Sequence, residues 1–181
     1  MATGPAPDTL DPPVFEVPTR VLIVHSPYYA DIAEQLLAGA KAACETARAM
    51  YDLAPVPGAL EVPQAIALAA PSGAYDGFVA LGCVVRGETT HYETVCNDSS
   101  SGLMHLGLRG LCIGNGILTV ETLDQARVRA EAAGQNKGGG AANAALHLIA
   151  LRRRFATATA TPPLPQGSFR VAGTPPATGS A

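Results

Sequence analysis

Short apolar runs alternate with helical patterns along the middle of the chain, and this alternation restricts the fold more than any other feature. Four runs favour strands, at 21–25, 51–56, 77–85 and 111–120. Segments with helical spacing of apolar residues, or rich in alanine, favour helices at 31–48, 61–70, 92–108, 123–132 and 141–155. Strands joined through helices pair in parallel with right-handed crossovers. The sequence therefore predicts a three-layer α/β/α sandwich around a central, mainly parallel four-stranded sheet.

Both ends of the chain are rich in proline, alanine, threonine and glycine. Ten of the 15 prolines lie in 1–18 and 162–176, a composition typical of segments that bury too little apolar surface to fold. We therefore expect a flexible arm over 1–19, one folded domain over 20–155 and a disordered tail over 156–181. The alternating segment 14-VFEV-17 is an exception, because it could pair as an extra edge strand on this sheet or on that of a neighbouring subunit.

Composition and charge limit the partners. With 48% hydrophobic and 15% charged residues, we expect further copies of the chain to cover part of the surface. The net charge of -3, with no basic stripe, argues against nucleic acid. The four cysteines include no C-x-x-C pair, and no signal-like or membrane-spanning apolar segment is present, which predicts a cytoplasmic protein that does not bind membranes.

Polar chemistry is concentrated in the stretch 82-GCVVRGETTHYETVCND-98, where the third strand ends and a helix begins. Ligands of such sheets bind outside the carboxyl ends of the strands. Gly87, Glu88, Thr89 and Thr90 could present backbone N–H groups to an anion at the helix N-terminus, although a threonine there could equally serve only as a cap. His91 follows directly and could transfer protons near neutral pH. The P-loop pattern of nucleotide triphosphate sites is missing.

Other charged residues are candidates for ligand contacts. Glu61 could accept hydrogen bonds from hydroxyl groups, or could only favour the positive start of its helix. Arg127 and Arg129 lie two positions apart on a helix and point to different faces, so one could reach a ligand. Lys137 precedes three glycines and could contact an anion, although such a segment could equally be a flexible hinge.

A metal site is not expected. Cys83, His91 and Cys96 are close in sequence, but their spacing matches no common structural zinc pattern.

Four segments together resemble the 6,7-dimethyl-8-ribityllumazine synthase family: 56-VPGALEVP-63, 79-VALGCVVRGETTHYETVCND-98, 113-IGNGILTVET-122 and 136-NKGGGAA-142. The likeness spans about 20–155 in order, and the IGNG form is similar to that of α-proteobacterial members. The resemblance implies a flavodoxin-like fold and a transferase of riboflavin biosynthesis that needs no cofactor. Such an enzyme condenses 5-amino-6-(D-ribitylamino)uracil with 3,4-dihydroxy-2-butanone 4-phosphate and releases phosphate and water.

The resemblance also implies roles for particular residues, with His91 as the catalytic proton shuttle. The ribitylaminouracil would be bound by Tyr28, Ala59, Leu60, Glu61, Cys83, Val84, Val85 and Asn115. The butanone phosphate would be bound by Glu88, Thr89 and Arg129, with Arg86 and Lys137 as further candidates. In this family the site is shared between subunits, so the adjacent chain would supply Asn115, Arg129 and Lys137 within a homopentamer or an assembly of pentamers, and riboflavin synthase would be a functional partner.

This chain departs from the family at its aromatic positions. Many members have Phe where Tyr28, Leu60 and Asn115 stand, so ring stacking would depend chiefly on Tyr28. The main alternative is a non-catalytic paralogue that binds flavin or lumazine on the same scaffold, although the presence of His91, Arg129 and Lys137 argues against it. A structural shell protein and a flavin mononucleotide binder are weaker alternatives, the latter because the first strand is not followed by a loop rich in Ser and Thr.

Overall fold

The computed structural model describes residues 10–158, and within them four strands alternate with helices as the sequence predicts. The strands are β1 (Arg20–His25), β2 (Met50–Pro55), β3 (Gly77–Val85) and β4 (Ile113–Val120). The helices are α1 (Ala30–Thr46), α2 (Glu61–Ala69, extended by a 3-10 turn at Ala70–Ser72), α3 (His91–Leu108), α4 (Leu123–Ala130) and α5 (Lys137–Ala158). None of the described helices is long and apolar enough to cross a membrane.

The strands form one parallel sheet in the order β2-β1-β3-β4, covered on both faces. Successive β1 side chains point to opposite faces: Val21 and Ile23 pack into a core with α1, α4 and α5, whereas Leu22 and Val24 pack into a second core with α2 and α3. A strand buried on both faces is a continuous apolar run. This α/β/α, flavodoxin-like arrangement confirms the predicted fold class.

The register leaves a step at the carboxyl edge of the sheet. His25, the last residue of β1, pairs with Leu81 of β3. The remaining residues of β3, from Gly82 to Val85, pair only with β4. The ends of β1 and β2 therefore stop short of the end of β3, and this step leaves room for a cleft.

Some helix and strand boundaries differ from the predicted ones. Helix α1 ends at Thr46 rather than at 48, because Arg48 has a positive φ of 56° that a right-handed helix cannot contain. Strand β4 begins at Ile113 rather than at 111, because the Leu111 N–H donates to the Leu106 carbonyl (3.4 Å) and so belongs to the turn that ends α3.

The glycines after Lys137 are part of a helix, so the alternative of a flexible hinge was wrong. Helix α5 begins at Lys137, four residues earlier than predicted, and the Asn136 side-chain oxygen accepts a hydrogen bond from the Gly139 N–H (3.0 Å). A Cβ atom on Gly138 would lie 2.0 Å from the carbonyl oxygen of Leu36 in α1. Glycine is therefore needed because α1 and α5 approach each other closely.

The predicted extra edge strand at 14–17 does not form on this chain's own sheet. Phe15 is instead buried in the core beneath α1, and its N–H donates to the Ala47 carbonyl (3.0 Å). Pairing of this segment with a neighbouring subunit stays a prediction. Residues 1–9 of the predicted arm and 159–181 of the predicted tail lie outside the described residues, and 156–158 belong to α5.

Candidate active site

A cleft of about 350 Å³ opens where β3 extends beyond β1, and we call it the His91 cleft. Its walls come from the loop after β1, the loop before α2, the end of β3 and the start of α3. The lining residues are Ser26, Tyr28, Tyr29, Gly58, Ala59, Leu60, Glu61, Cys83, Val84, Val85, His91 and Val95.

Hydrogen bonds fix the two loops that follow β1 and β2. The Ser26 N–H donates to the Leu81 carbonyl (3.0 Å), and the Val56 N–H donates to the His25 carbonyl (2.9 Å). The Ser26 hydroxyl donates to the carbonyl of Pro57 (3.2 Å), which joins one loop to the other. These walls of the cleft are therefore continuations of the sheet.

Glu61 places a carboxylate in the wall of the cleft. It is the first residue of α2, and a Cβ atom on Gly58 would lie 2.9 Å from its Oε2 atom. The carboxylate thus lies against the backbone of Gly58, at the positive end of the helix dipole. A half-buried carboxylate in such a wall can accept hydrogen bonds from ligand hydroxyls.

Tyr28 and Tyr29 form an aromatic corner after β1. Their ring centroids are 5.0 Å apart in an edge-to-face arrangement, and Tyr28 remains 73% exposed. Burial raises the pKa of the Tyr29 hydroxyl, with smaller contributions from Cys83 and Tyr28. The exposed Tyr28 ring can therefore stack on a planar ligand.

Cys83 supplies a thiol rather than a thiolate. Burial raises its pKa to about 11, and the negative charge of Asp31 contributes in the same direction. At neutral pH the group is a weak S–H donor on the apolar side of the cleft.

The loop between β3 and α3 offers unpaired backbone donors. No described residue accepts a hydrogen bond from the N–H groups of Gly87, Glu88, Thr89 or Thr90. Thr90 makes no side-chain capping bond, and the Thr89 hydroxyl accepts only a long bond (3.4 Å) from the His91 N–H. Exposed donors at the start of an 18-residue helix suit an anion.

Arg86 is engaged by carboxylates instead of lining the cleft. Its guanidinium donates to Glu121 (2.7 Å) and to Glu93, and lies 4.2 Å from the centroid of the Tyr92 ring. The hydrogen bond from Arg86 holds the pKa of Glu93 below its usual value. Of the sequence candidates for anion binding, Arg86 is thus the one with its charge already neutralised.

A second concave surface, of about 420 Å³, lies against β4, α4 and α5, and we call it the Arg129 surface. It is lined by Asn115, Gly116, Ile117, Leu118, Thr119, Arg129, Lys137, Gly140, Ala141 and Ala144. The half-buried Arg129 donates to the Gln125 carbonyl (3.0 Å), whereas Arg127 donates to Asp31 and Asp124 (3.1 Å each). The two arginines have different partners, as their spacing predicts.

The residues suggested by the sequence thus fall into separate groups in one chain. The His91 cleft contains His91 and, of the ribitylaminouracil set, Tyr28, Ala59, Leu60, Glu61, Cys83, Val84 and Val85, whereas Asn115, Arg129 and Lys137 lie on the Arg129 surface. Glu88 and Thr89 lie in the loop that leads to His91. Within residues 10–158, no group of three or more His, Cys, Asp or Glu side chains could hold a metal ion.

Four residues of the cleft were not chosen from the sequence: Ser26, Tyr29, Gly58 and Val95. Tyr29 and Gly58 adjoin Tyr28 and Ala59, and Ser26 lies two positions before Tyr28. Val95 follows His91 by one helical turn, so helical spacing was the signal that could have found it.

Comparison with known proteins gives one consistent family. A family model described as 6,7-dimethyl-8-ribityllumazine synthase matches residues 18–153. Among similar proteins, the one from Jannaschia sp. (strain CCS1) is 52% identical over 152 residues, which cover 84% of this chain and 85% of the relative. The protein from Bartonella tribocorum is 56% identical over 138 residues, covering 75% and 91%. That from Sphingopyxis alaskensis is 52% identical over 136 residues, covering 75% and 96%. All three carry the name 6,7-dimethyl-8-ribityllumazine synthase.

Proposed function

The chain belongs to the 6,7-dimethyl-8-ribityllumazine synthase family, and we propose that the His91 cleft is where it carries out the reaction of that family. It condenses 5-amino-6-(D-ribitylamino)uracil with 3,4-dihydroxy-2-butanone 4-phosphate to 6,7-dimethyl-8-ribityllumazine, in riboflavin biosynthesis. The observation that carries this proposal is the meeting of Tyr28, Glu61 and His91 in a single cleft at the carboxyl edge of the sheet.

The ribitylaminouracil fits the apolar part of the cleft. Its pyrimidine ring stacks on the exposed Tyr28, and the end of β3, from Cys83 to Val85, contacts the edge of the ring. Ala59 and Leu60 flank the ribityl chain, whose hydroxyls donate to Glu61. These assignments are supported by the position of each side chain in the lining.

The butanone phosphate lies beside His91. Its phosphate accepts hydrogen bonds from the unpaired N–H groups of Glu88 and Thr89 and from the Thr89 hydroxyl, at the positive end of α3. Arg129 completes the charge balance, with Lys137 close by on the same surface.

The chemistry needs positioned substrates and proton transfer. The 5-amino group of the pyrimidine attacks the butanone carbonyl, and loss of water gives an imine. Loss of a proton from the neighbouring carbon and departure of phosphate leave an enol, which becomes a carbonyl. The ribityl-bearing nitrogen attacks it and closes the ring with loss of water. His91 carries protons between these steps. Holding two reactants face to face can contribute about 7–11 kcal/mol at its limit.

The complete site requires a second copy of the chain. The lining of the His91 cleft contains no Lys or Arg, whereas the Arg129 surface supplies both. In the proposed assembly, a homopentamer or a multiple of it, Asn115, Arg129 and Lys137 of one protomer face the cleft of the next. We place this assembly in the cytoplasm, where its four free cysteines stay reduced, and its product is passed to riboflavin synthase.

Product formation tests the proposal directly. Purified protein is incubated with both substrates, and lumazine absorbance and fluorescence are followed together with phosphate release. We expect both signals to rise together and to require both substrates. Binding of lumazine without its formation would instead identify a non-catalytic binding paralogue.

A further inference from the structure

Arg86 connects the end of β4 with the first turn of α3, the turn that begins with His91. We propose that Arg86 is a positioning residue: through Glu93 and Tyr92 it fixes the start of α3 and thereby the direction of the His91 ring. This inference rests on the proposed function, because it concerns the group that transfers protons there.

The anchor of this connection is the sheet. The Arg86 N–H donates to the Val120 carbonyl (2.9 Å), which continues the pairing of β3 with β4 by one residue. Its side-chain Nε donates to Glu121 Oε2 (2.7 Å), the residue directly after β4. Backbone and side chain of Arg86 are thus both held by the same end of β4.

The rest of the guanidinium contacts the first turn of α3. Its Nη1 donates to the Glu93 carboxylate, and its flat face lies over the Tyr92 ring at 4.2 Å. Both partners directly follow His91 in the sequence. An arginine can serve two carboxylates and a ring at once because its donors form a planar fork, which a lysine ammonium does not provide.

The start of α3 has little other support. The N-cap residue Thr90 makes no side-chain capping bond, and the contact from the His91 N–H to the Thr89 hydroxyl is long, at 3.4 Å. Helix ends without caps fray. The side-chain contacts of Arg86 with Tyr92 and Glu93 therefore hold the first turn of α3 where a capping bond is missing.

A direct role for Arg86 in phosphate binding is disfavoured by the same contacts. Two carboxylates neutralise its charge and a ring covers one face. Arg86 does not line the His91 cleft.

The decisive experiment is a double-mutant cycle on turnover. Arg86→Met is made in the natural chain and in the His91→Ala chain, and kcat and KM are measured for both substrates. We expect Arg86→Met to lower kcat by about 10- to 100-fold, the scale of a misplaced catalytic group, with KM nearly unchanged. In the His91→Ala chain we expect no further loss, because a residue that acts through His91 has nothing left to position.

A matched control separates positioning from general stability. Arg20 also bonds a carboxylate (Asp52, 2.8 Å) and lies over a ring (Tyr75, 5.5 Å), but at the amino end of β1. Arg20→Met should change the melting temperature by a similar amount and leave kcat unchanged. Should Arg86→Met fail to fold, Glu93→Gln removes the ion pair at the α3 end and leaves the Tyr92 contact. It should give a smaller loss of kcat, again absent in the His91→Ala chain.

Amide hydrogen exchange gives a reading that needs no catalysis. Exchange over 91–96 should be faster in Arg86→Met than in the natural chain, and Arg20→Met should leave it unchanged. An equal loss of kcat with and without His91, or unchanged exchange over 91–96, overturns the inference. An inactive natural chain would refute the proposed function instead, while the exchange measurement still decides whether Arg86 orders the start of α3.

Discussion

The His91 cleft and the Arg129 surface differ in charge and in how the chain builds them. The cleft contains the carboxylate of Glu61 and the imidazole of His91 but no Lys or Arg, whereas the Arg129 surface contains Arg129 and Lys137 but no Asp or Glu. A reaction that binds a phosphate group and also transfers protons needs the cations of the surface as well as the carboxylate and imidazole of the cleft. The contrast supports the proposal that the Arg129 surface of one protomer completes the His91 cleft of the next.

The two regions are also held in place by different forces. Hydrogen bonds that continue the sheet fix the loops of the cleft, as between Ser26 and Leu81. The shape of the Arg129 surface depends on the close packing of α5 against α1, where Gly138 lies against the backbone of Leu36. Substitutions should therefore affect chemistry in the first region and assembly of the binding surface in the second.

The largest expected effect is on turnover in the cleft. His91→Ala should lower kcat by about 10²–10⁴-fold without abolishing activity, the usual contribution of a positioned proton donor or acceptor. Substrate affinities should change little. His105→Ala is the control, since His105 lies on the same helix and its ring bonds the Ser101 carbonyl (2.7 Å) outside the cleft. A folded, substrate-binding His91→Ala protein with no measurable product would require a larger role for this residue than proton transfer alone.

On the Arg129 surface the expected effect is on affinity. Arg129→Ala should weaken binding of the butanone phosphate by about 1.5–3 kcal/mol, the cost of a lost charged hydrogen bond. This corresponds to roughly a 10- to 150-fold increase in its dissociation constant. Arg127→Ala is the matched control, because Arg127 is occupied by Asp31 and Asp124 and should cost much less. Equal effects of the two substitutions, measured by calorimetry, would remove Arg129 from the phosphate site.

Packing of α5 can be tested without substrate. Gly138→Ala should destabilise the fold by about 1–3 kcal/mol, because the new methyl group would meet the backbone of Leu36. Gly107→Ala is the control in α3, where a Cβ atom meets nothing within 4 Å, and should be neutral or slightly stabilising. Chemical denaturation gives both values. A neutral Gly138→Ala would show that the contact between α1 and α5 yields easily and that the Arg129 surface is not fixed by it.

Much of the cleft could be predicted from the sequence, because parallel strands bring all their carboxyl ends to one edge. Once the alternation of strands and helices is recognised, Tyr28, Glu61 and His91 follow as neighbours even though they are distant in the chain. The same logic could not find the distant partner of Arg86. Glu121 lies 35 residues away, and only the pairing of β3 with β4 brings it close.

Tertiary packing also overrode two local patterns. The alternating segment 14–17 favours a strand, but Phe15 is buried beneath α1 and its N–H is taken by Ala47. The glycines after Lys137 favour a loop, yet Asn136 bonds to Gly139 and the close contact of Gly138 with Leu36 makes them the first turn of α5. The packing of Phe15 and of Gly138 leaves no signal in the local sequence, whereas Asn136 is a readable N-cap residue.

Mixed assemblies test whether the two regions complete each other across subunits. Chains carrying His91→Ala and chains carrying Arg129→Ala, each with its own affinity tag, are co-expressed in equal amounts and purified through both tags. Half of the clefts keep His91 and half of those face an intact Arg129, so about a quarter of the natural activity should return. Were both residues to serve one site within a single chain, the mixture would show only the average of the two variants.

The smallest expected effect concerns the thiol inside the cleft. Burial raises the pKa of Cys83 to about 11, above its value of about 8.5 in the unfolded chain. The corresponding contribution to stability is fully present below about pH 8.5 and is lost as the pH rises through 11. Between about pH 6 and 9 the group does not titrate, and Cys83→Ala should leave the shape of the pH–rate profile unchanged.

Alkylation of Cys83 by iodoacetamide, followed by peptide mapping, should accelerate about tenfold per pH unit up to about pH 11. Bound lumazine should protect the thiol, because the ligand fills the same cleft. A rate that levels off near pH 8.5 would show an ordinary exposed thiol, and Cys83 would then not belong to the buried wall of the His91 cleft.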